Sequence, residues 1–205
     1  MRIITISREF GSGGRELGKR LSDYLGFQYY DREIITAIAQ ESDMDSAYVE
    51  SALEKPVWQI PAPTFRQSFA TPGLFQGVQL DLLTMQRKVL EEIARKGEDC
   101  VIVGRNADVI LSQHQPLSIF VCADMEAKLR RCQERAAADE QLTEKQMMKK
   151  IQEIDKNRAK VREMITGSKW GDRCAYDLIV NTSGWKIKEL TPAVADYAIR
   201  WFNRT

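Results

Sequence analysis

The chain has 205 residues, 43% of them hydrophobic, and a formal net charge of +1 at pH 7. That hydrophobic content suffices for one domain with a full core, so we expect a single domain over residues 1–205. So small a net charge provides no overall field toward nucleic acid or an anionic membrane. Neither is expected as a partner, and any anion site must come from a local cluster.

The compartment predicted from the sequence is the cytoplasm. No stretch reaches the roughly 18 apolar residues of a membrane span, and Arg2 interrupts an apolar start that is too short for a signal peptide. The four cysteines are widely spaced without a CxxC pair, which favours free thiols over zinc ligands or disulfides. His114 is the single histidine and lies in a polar turn, so histidine-based catalysis has little support.

The first pattern in the chain is a strand, a glycine-rich loop and a helix. Ile3–Ile6 is the β-branched run typical of a buried parallel strand. Gly11–Gly14 follows, and Leu17, Leu21 and Leu25 then recur at helical spacing. In such a loop, backbone N–H groups face an anion and the helix directs its positive end at the same point. The layout predicts a phosphate-binding loop, with a glycine-rich turn that binds no ligand as the alternative.

The loop departs from the Walker A pattern G-x-x-x-x-G-K-[ST]. With Gly13 as the second glycine, the first falls on Arg8 and the lysine on Gly14. With Gly14 as the second glycine, Arg15 takes the place of the lysine and Glu16 that of the hydroxyl residue. Only this second register keeps a cation, which makes Arg15 the candidate for contact with phosphate.

A second strand is predicted at Phe27–Tyr30, with Asp31 at its carboxyl end and a helix after it. Ligands of an open α/β sheet bind outside the carboxyl ends of the strands, which favours Asp31 as a binding residue. An N-cap of the following helix is the alternative, because aspartate is common there.

Ser42–Lys55 predicts a short polar helix, and Lys55–Gly77 then contains four of the six prolines with aromatic residues between them. A loop of this length is usually functional or mobile. We expect it to cover a substrate or to contact a partner.

Residues 77–96 return to a helical pattern, and Val101–Val103 predicts a third buried strand. Arg105, with Asn106 after it, follows Gly104 at the carboxyl end of this strand. The arginine is either an anion ligand or a salt-bridge partner. We favour the ligand because the guanidinium fork matches the geometry of phosphate.

Two consecutive helices, residues 124–138 and 143–165, are predicted to carry cationic faces. The residues that share a face are Lys128, Arg131 and Arg135 on the first helix, and Ile151, Asp155, Arg158 and Arg162 on the second. Solvated helix surface is the alternative for such stripes.

Strands at Leu117–Cys122 and Asp177–Asn181 and a final helix through Phe202 complete the pattern. Alternating strands and helices imply a parallel sheet with right-handed crossovers. We therefore predict an α/β protein with the three-layer P-loop NTPase fold, a five-stranded parallel sheet and a helical lid.

Four segments together resemble the cytidylate kinase-like group of P-loop nucleoside monophosphate kinases. They are Thr5–Gly26, the opening strand, loop and helix; Tyr29–Ile35, the start of the acceptor site; Val101–Arg135, the Gly-Arg-Asp strand, the next strand and the lid entry; and Glu153–Ala159, the lid exit. The resemblance implies transfer of a phosphoryl group from ATP, with Mg²⁺, to a small acceptor. It also implies an acceptor-side insert at residues 42–80 and a lid at residues 124–165.

The resemblance also implies a role for individual residues. The donor phosphates are assigned to Gly11, Ser12, Gly13 and Gly14, the acceptor to Asp31, Arg105, Asp155 and Arg158, and the lid to Arg131 and Arg135. From their positions in the sequence we add Arg15 and Glu16 to the donor site and Asn106 to the acceptor site. The residues expected to act in catalysis are Arg15, Arg131, Arg135 and Arg158. Without a ligand, Arg131, Arg135 and Arg158 are expected to be poorly ordered or turned outward, because three guanidinium groups that face an empty site repel one another.

Several positions depart from the family pattern. The Walker lysine aligns with Gly14, and the threonine two places later aligns with Glu16. The aspartate of the Gly-Arg-Asp motif is Asn106, the carboxylate before that motif is Val103, and an acceptor-phosphate arginine is Gln79. The acceptor is therefore not inherited from the resemblance.

Two functions from different classes follow. The first is an ATP-dependent phosphotransferase that acts on a nucleoside monophosphate or another small acceptor. The alternative is a non-catalytic nucleotide-binding sensor or partner-binding protein on the same fold, which the missing lysine favours. The proline-rich loop is expected to close over an acceptor more apolar than cytidine monophosphate.

Overall fold

A five-stranded parallel sheet forms the centre of the computed structural model, which describes residues 1–54, 72–135 and 142–204. In chain order the strands are β1 (Ile3–Arg8), β2 (Gln28–Tyr30), β3 (Cys100–Val103), β4 (Leu117–Cys122) and β5 (Leu178–Asn181). Their order across the sheet is β2-β3-β1-β4-β5, and every neighbouring pair is parallel. The predicted fold class and its five strands are confirmed.

Helices cover both faces of the sheet. They are α1 (Gly14–Leu25), α2 (Arg32–Ser42), α3 (Ser46–Glu54), α4 (Pro72–Arg95), α5 (Ala107–Ile110), α6 (Met125–Arg135), α7 (Glu144–Thr166) and α8 (Ile187–Phe202). Within the described ranges, none of these helices is long and apolar enough to cross a membrane.

Strand β1 is buried along its whole length, as its β-branched sequence predicts. On one face it packs into a cluster that contains residues of α2, α3 and α4, including Ile34 and Leu90. On the other face lies a cluster that contains residues of α1 and α8, including Leu17 and Ala195. A strand enclosed by two apolar layers needs the continuous hydrophobic run seen at its start.

Strand β1 lies between β3 and β4. The chain first adds β2 and β3 on one side of β1 and then crosses over to add β4 and β5 on the other side. The carboxyl ends of these three strands meet at one edge, and such a switch point is where α/β sheets bind ligands. The backbone N–H of Gly104 donates to the carbonyl of Ile6 at 2.8 Å, and that of Glu9 donates to Val121 at 3.0 Å. The loops after β1 and β3 are therefore held side by side.

Some predicted boundaries differ from the structure. The helix predicted from Ser42 begins at Ser46, because α2 continues to Ser42 and Asp43 then takes a left-handed conformation with φ 54°. The helix predicted from Gly77 begins at Pro72. The segment 55–71, with most of the proline-rich loop, and the end of the predicted 124–138 helix after Arg135 lie outside the described residues.

Candidate active site

The loop between β1 and α1 is shaped by glycines that other residues could not replace. Gly11 and Gly13 have φ values of 75° and 85°, and α1 begins at Gly14. A Cβ on Gly13 would lie 2.6 Å from Cδ1 of Ile187, and one on Gly14 would lie 2.5 Å from Cβ of Arg8. Only glycine lets the backbone turn and pack this closely at the start of a helix, the geometry that suits a phosphate.

A cavity of about 360 Å³ opens onto this loop. Its volume is in the range of small-molecule sites. The cations on its wall are Arg8, Arg15, Arg32, Arg131, Arg135, Lys150 and Arg158. The carboxylates on its wall are Glu9 and Glu50. The excess of positive charge makes the cavity suited to a multiply charged anion.

A smaller cavity, about 50 Å³, lies at the carboxyl end of β3. It is lined by Gly104, Arg105 and Asn106 from the loop after β3, and by Gln86 and Trp170 among others. Among the residues that the structure describes, no carboxylate lines it. It has room for a small anionic group rather than for a whole nucleotide.

Within the described part of the chain, Arg8 and Arg158 line both cavities. Nη1 of Arg158 donates to the carbonyl of Arg8 at 3.3 Å, and its guanidinium lies 5.8 Å from the centre of the Phe10 ring. Both arginines therefore lie where the two cavities adjoin.

Arg15 points toward Asp31, not directly into the glycine loop. Its Nε lies 2.5 Å from Oδ2 of Asp31, which is only 4% exposed, while Nη2 of Arg8 lies 4.0 Å from Oδ1. Asp31 occupies the N-cap position of α2 without a side-chain capping bond. Burial, followed by the charge of Asp31, raises the pKa of the neighbouring Tyr29 to about 12. The ion pair of Arg15 and Asp31 thus connects α1 to the end of β2.

A partly buried ion cluster, centred on the buried Lys128, lies against the loop. Nζ of Lys128 is 2.7 Å from Oε2 of Glu9 and 3.1 Å from Oδ2 of Asp155, and Oδ1 of Asp155 accepts the backbone N–H of Phe10 at 2.6 Å. Burial raises the pKa of Asp155, against the opposing effects of the Phe10 N–H and Lys128. Burial alone would lower the pKa of Lys128, but Glu9 and Asp155 together raise it.

This cluster changes the interpretation of Asp155. The family resemblance implied direct contact between Asp155 and the acceptor. Both of its oxygens are instead bound inside the protein, and it lines neither cavity. Asp155 fixes the position of the loop at Phe10.

The expectation that the lid arginines are poorly ordered or turned outward is wrong for Arg131. This side chain is 7% exposed and donates to the carbonyl of Thr182 at 2.6 Å, to its hydroxyl at 3.1 Å and to the carbonyl of Trp185 at 3.2 Å. The Thr182 hydroxyl in turn donates to the carbonyl of Ser12 at 2.6 Å. Carbonyl acceptors on the loop after β5 offset the repulsion that was expected to push Arg131 out.

Arg135 is exposed and pairs with Glu16 on α1, and Glu16 also accepts from Arg20 at 2.8 Å. Glu16 does not line the cavity at the glycine loop, so its assignment to the donor phosphates has no geometric support. The Ser12 hydroxyl donates to the Glu9 carbonyl at 2.8 Å, and Ser12 does not line that cavity either.

Three consecutive residues after β3 have positive φ: Gly104 at 79°, Arg105 at 61° and Asn106 at 50°. Such backbone is costly for residues other than glycine and often marks a functional turn. Arg105 is buried; its carbonyl accepts from Gln86 at 3.0 Å, and its Nη2 lies 3.6 Å from Glu50. The turn holds Arg105 and Asn106 at the small cavity.

Asn106 replaces the aspartate of the Gly-Arg-Asp motif, but sequence reasoning overlooked a carboxylate close to it in the chain. Asp108, two places after Asn106, is paired with Arg162 of α7 at 2.7 Å, and both side chains are almost fully buried. Gln79, at the position of an absent arginine, donates to the carbonyl of Ala52 at 2.9 Å. Both contacts join structural elements around the small cavity.

Sequence reasoning also missed Arg8 and Lys128 as site residues. A basic residue at the end of a fully apolar strand was one available signal for Arg8. The lysine lies on the predicted cationic face, but its partners are 119 and 27 residues away in sequence and could not be inferred from spacing. Within the described ranges, no three His, Cys, Asp or Glu side chains are grouped as a metal site.

Solved structures with the same fold include P-loop kinases. Shikimate kinase from Bacteroides thetaiotaomicron superposes with a TM-score of 0.56 at 14% identity, covering 96% of this chain and 97% of that one. Shikimate kinase from Acinetobacter baumannii gives 0.53 at 12% identity over 98% and 94%. An uncharacterized protein from Eubacterium ventriosum gives 0.69 at 25% identity over 97% and 99%. The fold is that of the P-loop kinases.

Within that class, the chain belongs to the cytidylate kinase-like family, whose profile matches residues 3–184. Curated relatives include the cytidylate kinases of Methanopyrus kandleri and Halobacterium salinarum. Both are 25% identical to this chain, and the matches cover 91% and 95% of it and 88% of each relative. Family and fold together support a nucleotide kinase.

Proposed function

We propose that this protein is an ATP-dependent phosphotransferase that moves the γ-phosphoryl group to a small acceptor carrying a phosphate group, such as a nucleoside monophosphate. One observation carries the proposal. A glycine-loop cavity and a cationic cavity at the end of β3 adjoin, and Arg8 and Arg158 line both. A donor and an acceptor phosphate held in these cavities would face each other.

The proposed transfer requires little covalent catalysis by the protein. Phosphoryl transfer depends on in-line positioning and on positive charge around the transferring oxygens. The N–H groups at Gly11, Gly13 and Gly14 would hold the donor phosphates at the positive end of α1. Arg158 and Arg105 would hold the acceptor phosphate, and Arg135 would close the cavity from the lid side. Preorganised donors of this kind stabilise the transition state without reorganisation.

The residues present fit both ATP and Mg²⁺. The glycine cradle, which a single Cβ would obstruct, fits the donor phosphates. Mg²⁺ needs only one or two protein carboxylates beside phosphate oxygens and water. Glu9 is the carboxylate on the cavity wall next to the loop. Its Oε2 is bound by Lys128 and by the Ala123 N–H, so its other oxygen would hold the ion, which supplies further positive charge to the donor phosphates.

Arg15→Ala is expected to weaken ATP binding by at least about tenfold, a modest loss for a charge-assisted contact. The change removes a cation from the cavity wall and also releases Asp31 from its 2.5 Å ion pair. Titration calorimetry with ATP measures the effect. An affinity equal to that of the wild type would mean that Arg15 binds Asp31 and does not contact ATP.

Cytidine monophosphate is expected to be a poor acceptor. Gln79 replaces one phosphate cation and Asn106 one carboxylate of the family pattern, and loss of a buried charged contact costs about 2–5 kcal/mol. The rate with this acceptor should therefore be at least about a hundredfold below that of a true cytidylate kinase measured in parallel. Equal rates would show that other residues, such as the Asp108–Arg162 pair, replace the lost groups.

A coupled assay for ADP release tests the proposal itself. ATP and Mg²⁺ are supplied with a panel of nucleoside monophosphates and other phosphorylated small molecules, and the acceptor-free rate is subtracted. The proposal predicts acceptor-dependent ADP release with at least one member. Tight ATP binding without any acceptor-dependent release would contradict it and favour the nucleotide-binding sensor.

A further inference from the structure

Arg8 occupies a position that the glycine-loop pattern alone does not explain. It ends the central strand β1, its side chain is only 10% exposed, and it lines both the donor and the acceptor cavity. We propose that Arg8 supplies the cation that a Walker A lysine supplies in other P-loop kinases, by binding the γ-phosphoryl oxygens of ATP. This inference rests on the proposed function and names a further catalytic residue for it.

Two glycines are fitted around the Arg8 side chain. A Cβ on Gly104 would lie 1.8 Å from Nη1 of Arg8 and 2.8 Å from its Cζ, and a Cβ on Gly14 would lie 2.5 Å from its Cβ. The donor loop therefore packs on the base of the side chain and the acceptor turn on its guanidinium. Gly14 leaves no room for a Cβ beside the base of the side chain, and Gly104, with its φ of 79°, lets the guanidinium lie against its backbone. Both phosphate-facing loops therefore accommodate this one arginine.

The ion pair with Asp31 does not account for the position of Arg8. Asp31 has a closer partner in Arg15, at 2.5 Å against 4.0 Å for Arg8. One carboxylate thus faces two guanidinium groups, and Arg158 adds a third at the carbonyl of Arg8. The junction between the two cavities keeps an excess of positive charge, as the transfer of a highly charged group requires.

Arg15 is the competing residue, because it falls at the lysine position of one Walker register. Its side chain is 47% exposed and is directed to the end of β2 through its short contact with Asp31. Arg8 is buried at the point where the two cavities adjoin. The cation next to the transferring group is therefore contributed by the strand before the loop, and Arg15 contributes to the binding of the nucleotide as a whole.

The transfer step balances without another reactant. An ionised oxygen of the acceptor phosphate forms a bond to the γ-phosphorus, and the bond from that phosphorus to the β,γ-bridging oxygen breaks. The electron pair of the broken bond stays on ADP, and no proton needs to be moved. Arg8 stays protonated throughout and donates N–H groups to the transferring oxygens, where a guanidinium can bind two at once.

The test compares affinities for ATP and ADP, since only ATP has the γ-phosphoryl group. Calorimetry with Mg²⁺ on the full chain should show at least about tenfold tighter binding of ATP than of ADP by the wild type, as expected for one charge-assisted contact. Arg8→Gln should abolish this preference, and Arg8→Lys should keep it within about threefold, because an ammonium can also bind the γ-phosphoryl oxygens. Arg15→Gln should weaken both ligands by similar factors and keep the preference. Arg200→Gln, an exposed arginine on α8, serves as the control and should change neither affinity.

Several outcomes would overturn the inference: no preference for ATP in the wild type, a preference retained in folded Arg8→Gln, or a preference lost in Arg15→Gln instead. If Arg8→Gln does not fold, NMR of the wild type tests the contact instead. The ¹⁵N side-chain resonance of Arg8 is assigned by its loss in Arg8→Lys and is followed as each nucleotide is added. It should shift with ATP and not with ADP, and equal shifts would contradict the proposal. A wild type that shows the Arg8-dependent preference but turns over no acceptor would refute the proposed transfer and leave this contact standing.

Discussion

Arg158→Gln is expected to lower the rate of phosphoryl transfer by about a thousandfold, the lower end of the effect of an arginine that stabilises a transferring phosphoryl group. Arg158 lines both cavities and donates to the carbonyl of Arg8 at 3.3 Å. Its charge is therefore available where negative charge develops between donor and acceptor. The loss should fall on kcat more than on the KM for ATP, because the glycine loop still binds the donor.

Steady-state kinetics with the best acceptor of the panel measure this effect. Lys156→Gln is the matched control, since Lys156 is an exposed cation two residues away on the same helix and its loss should leave the rate within about twofold, as for ordinary surface substitutions. A kcat for Arg158→Gln within tenfold of the wild type would show that Arg158 does not contact the transferring phosphoryl group.

Lys128→Met is expected to destabilise the folded protein by about 1–3 kcal/mol, because it leaves two partly buried carboxylates without their cation. Lys128 is 6% exposed and holds Glu9 and Asp155 at 2.7 Å and 3.1 Å. Asp155 in turn binds the loop at Phe10, so ATP affinity should fall as well. Urea unfolding measures the stability, and Lys149→Met, at an exposed lysine of α7, should lie within about 0.5 kcal/mol of the wild type.

The difference in unfolding free energy between the wild type and Lys128→Met should change with pH in a defined direction. The pKa of Lys128 is raised above its ordinary value of 10.5 by Glu9 and Asp155, which together outweigh the opposing effect of burial. The stabilisation is therefore complete below that value and is lost as the pH rises through the higher folded pKa. The gap in unfolding free energy between wild type and Lys128→Met should shrink above about pH 10.5. A gap that widens there would contradict the ion cluster.

The fold was predictable because its signals are local. Apolar runs such as Ile3–Ile6 and Val101–Val103 alternate with amphipathic helices, and this alternation implies a parallel sheet. Glycines at 11, 13 and 14 also indicate the position of the loop from the sequence alone, because positive φ values such as those of Gly11 and Gly13 favour glycine over other residues.

The details of the candidate site depend on contacts between distant segments. Helical spacing correctly grouped Lys128 and Arg131, but could not show that the first binds Glu9 and Asp155 or that the second binds Thr182. The position of Arg8 depends on Gly104, 96 residues later in the chain. Periodicity identifies the face on which a side chain lies, whereas tertiary packing determines which partner it meets.

The most direct test of the central claim follows the phosphoryl group itself. The full chain is incubated with ATP, Mg²⁺ and the acceptor panel, and ³¹P NMR identifies the products, with Arg158→Gln in parallel. We predict ADP and a newly phosphorylated acceptor in equal amounts, formed far more slowly by the variant. ADP with free inorganic phosphate in place of a phosphorylated acceptor, or no reaction of ATP at all, would contradict the assignment as a phosphotransferase.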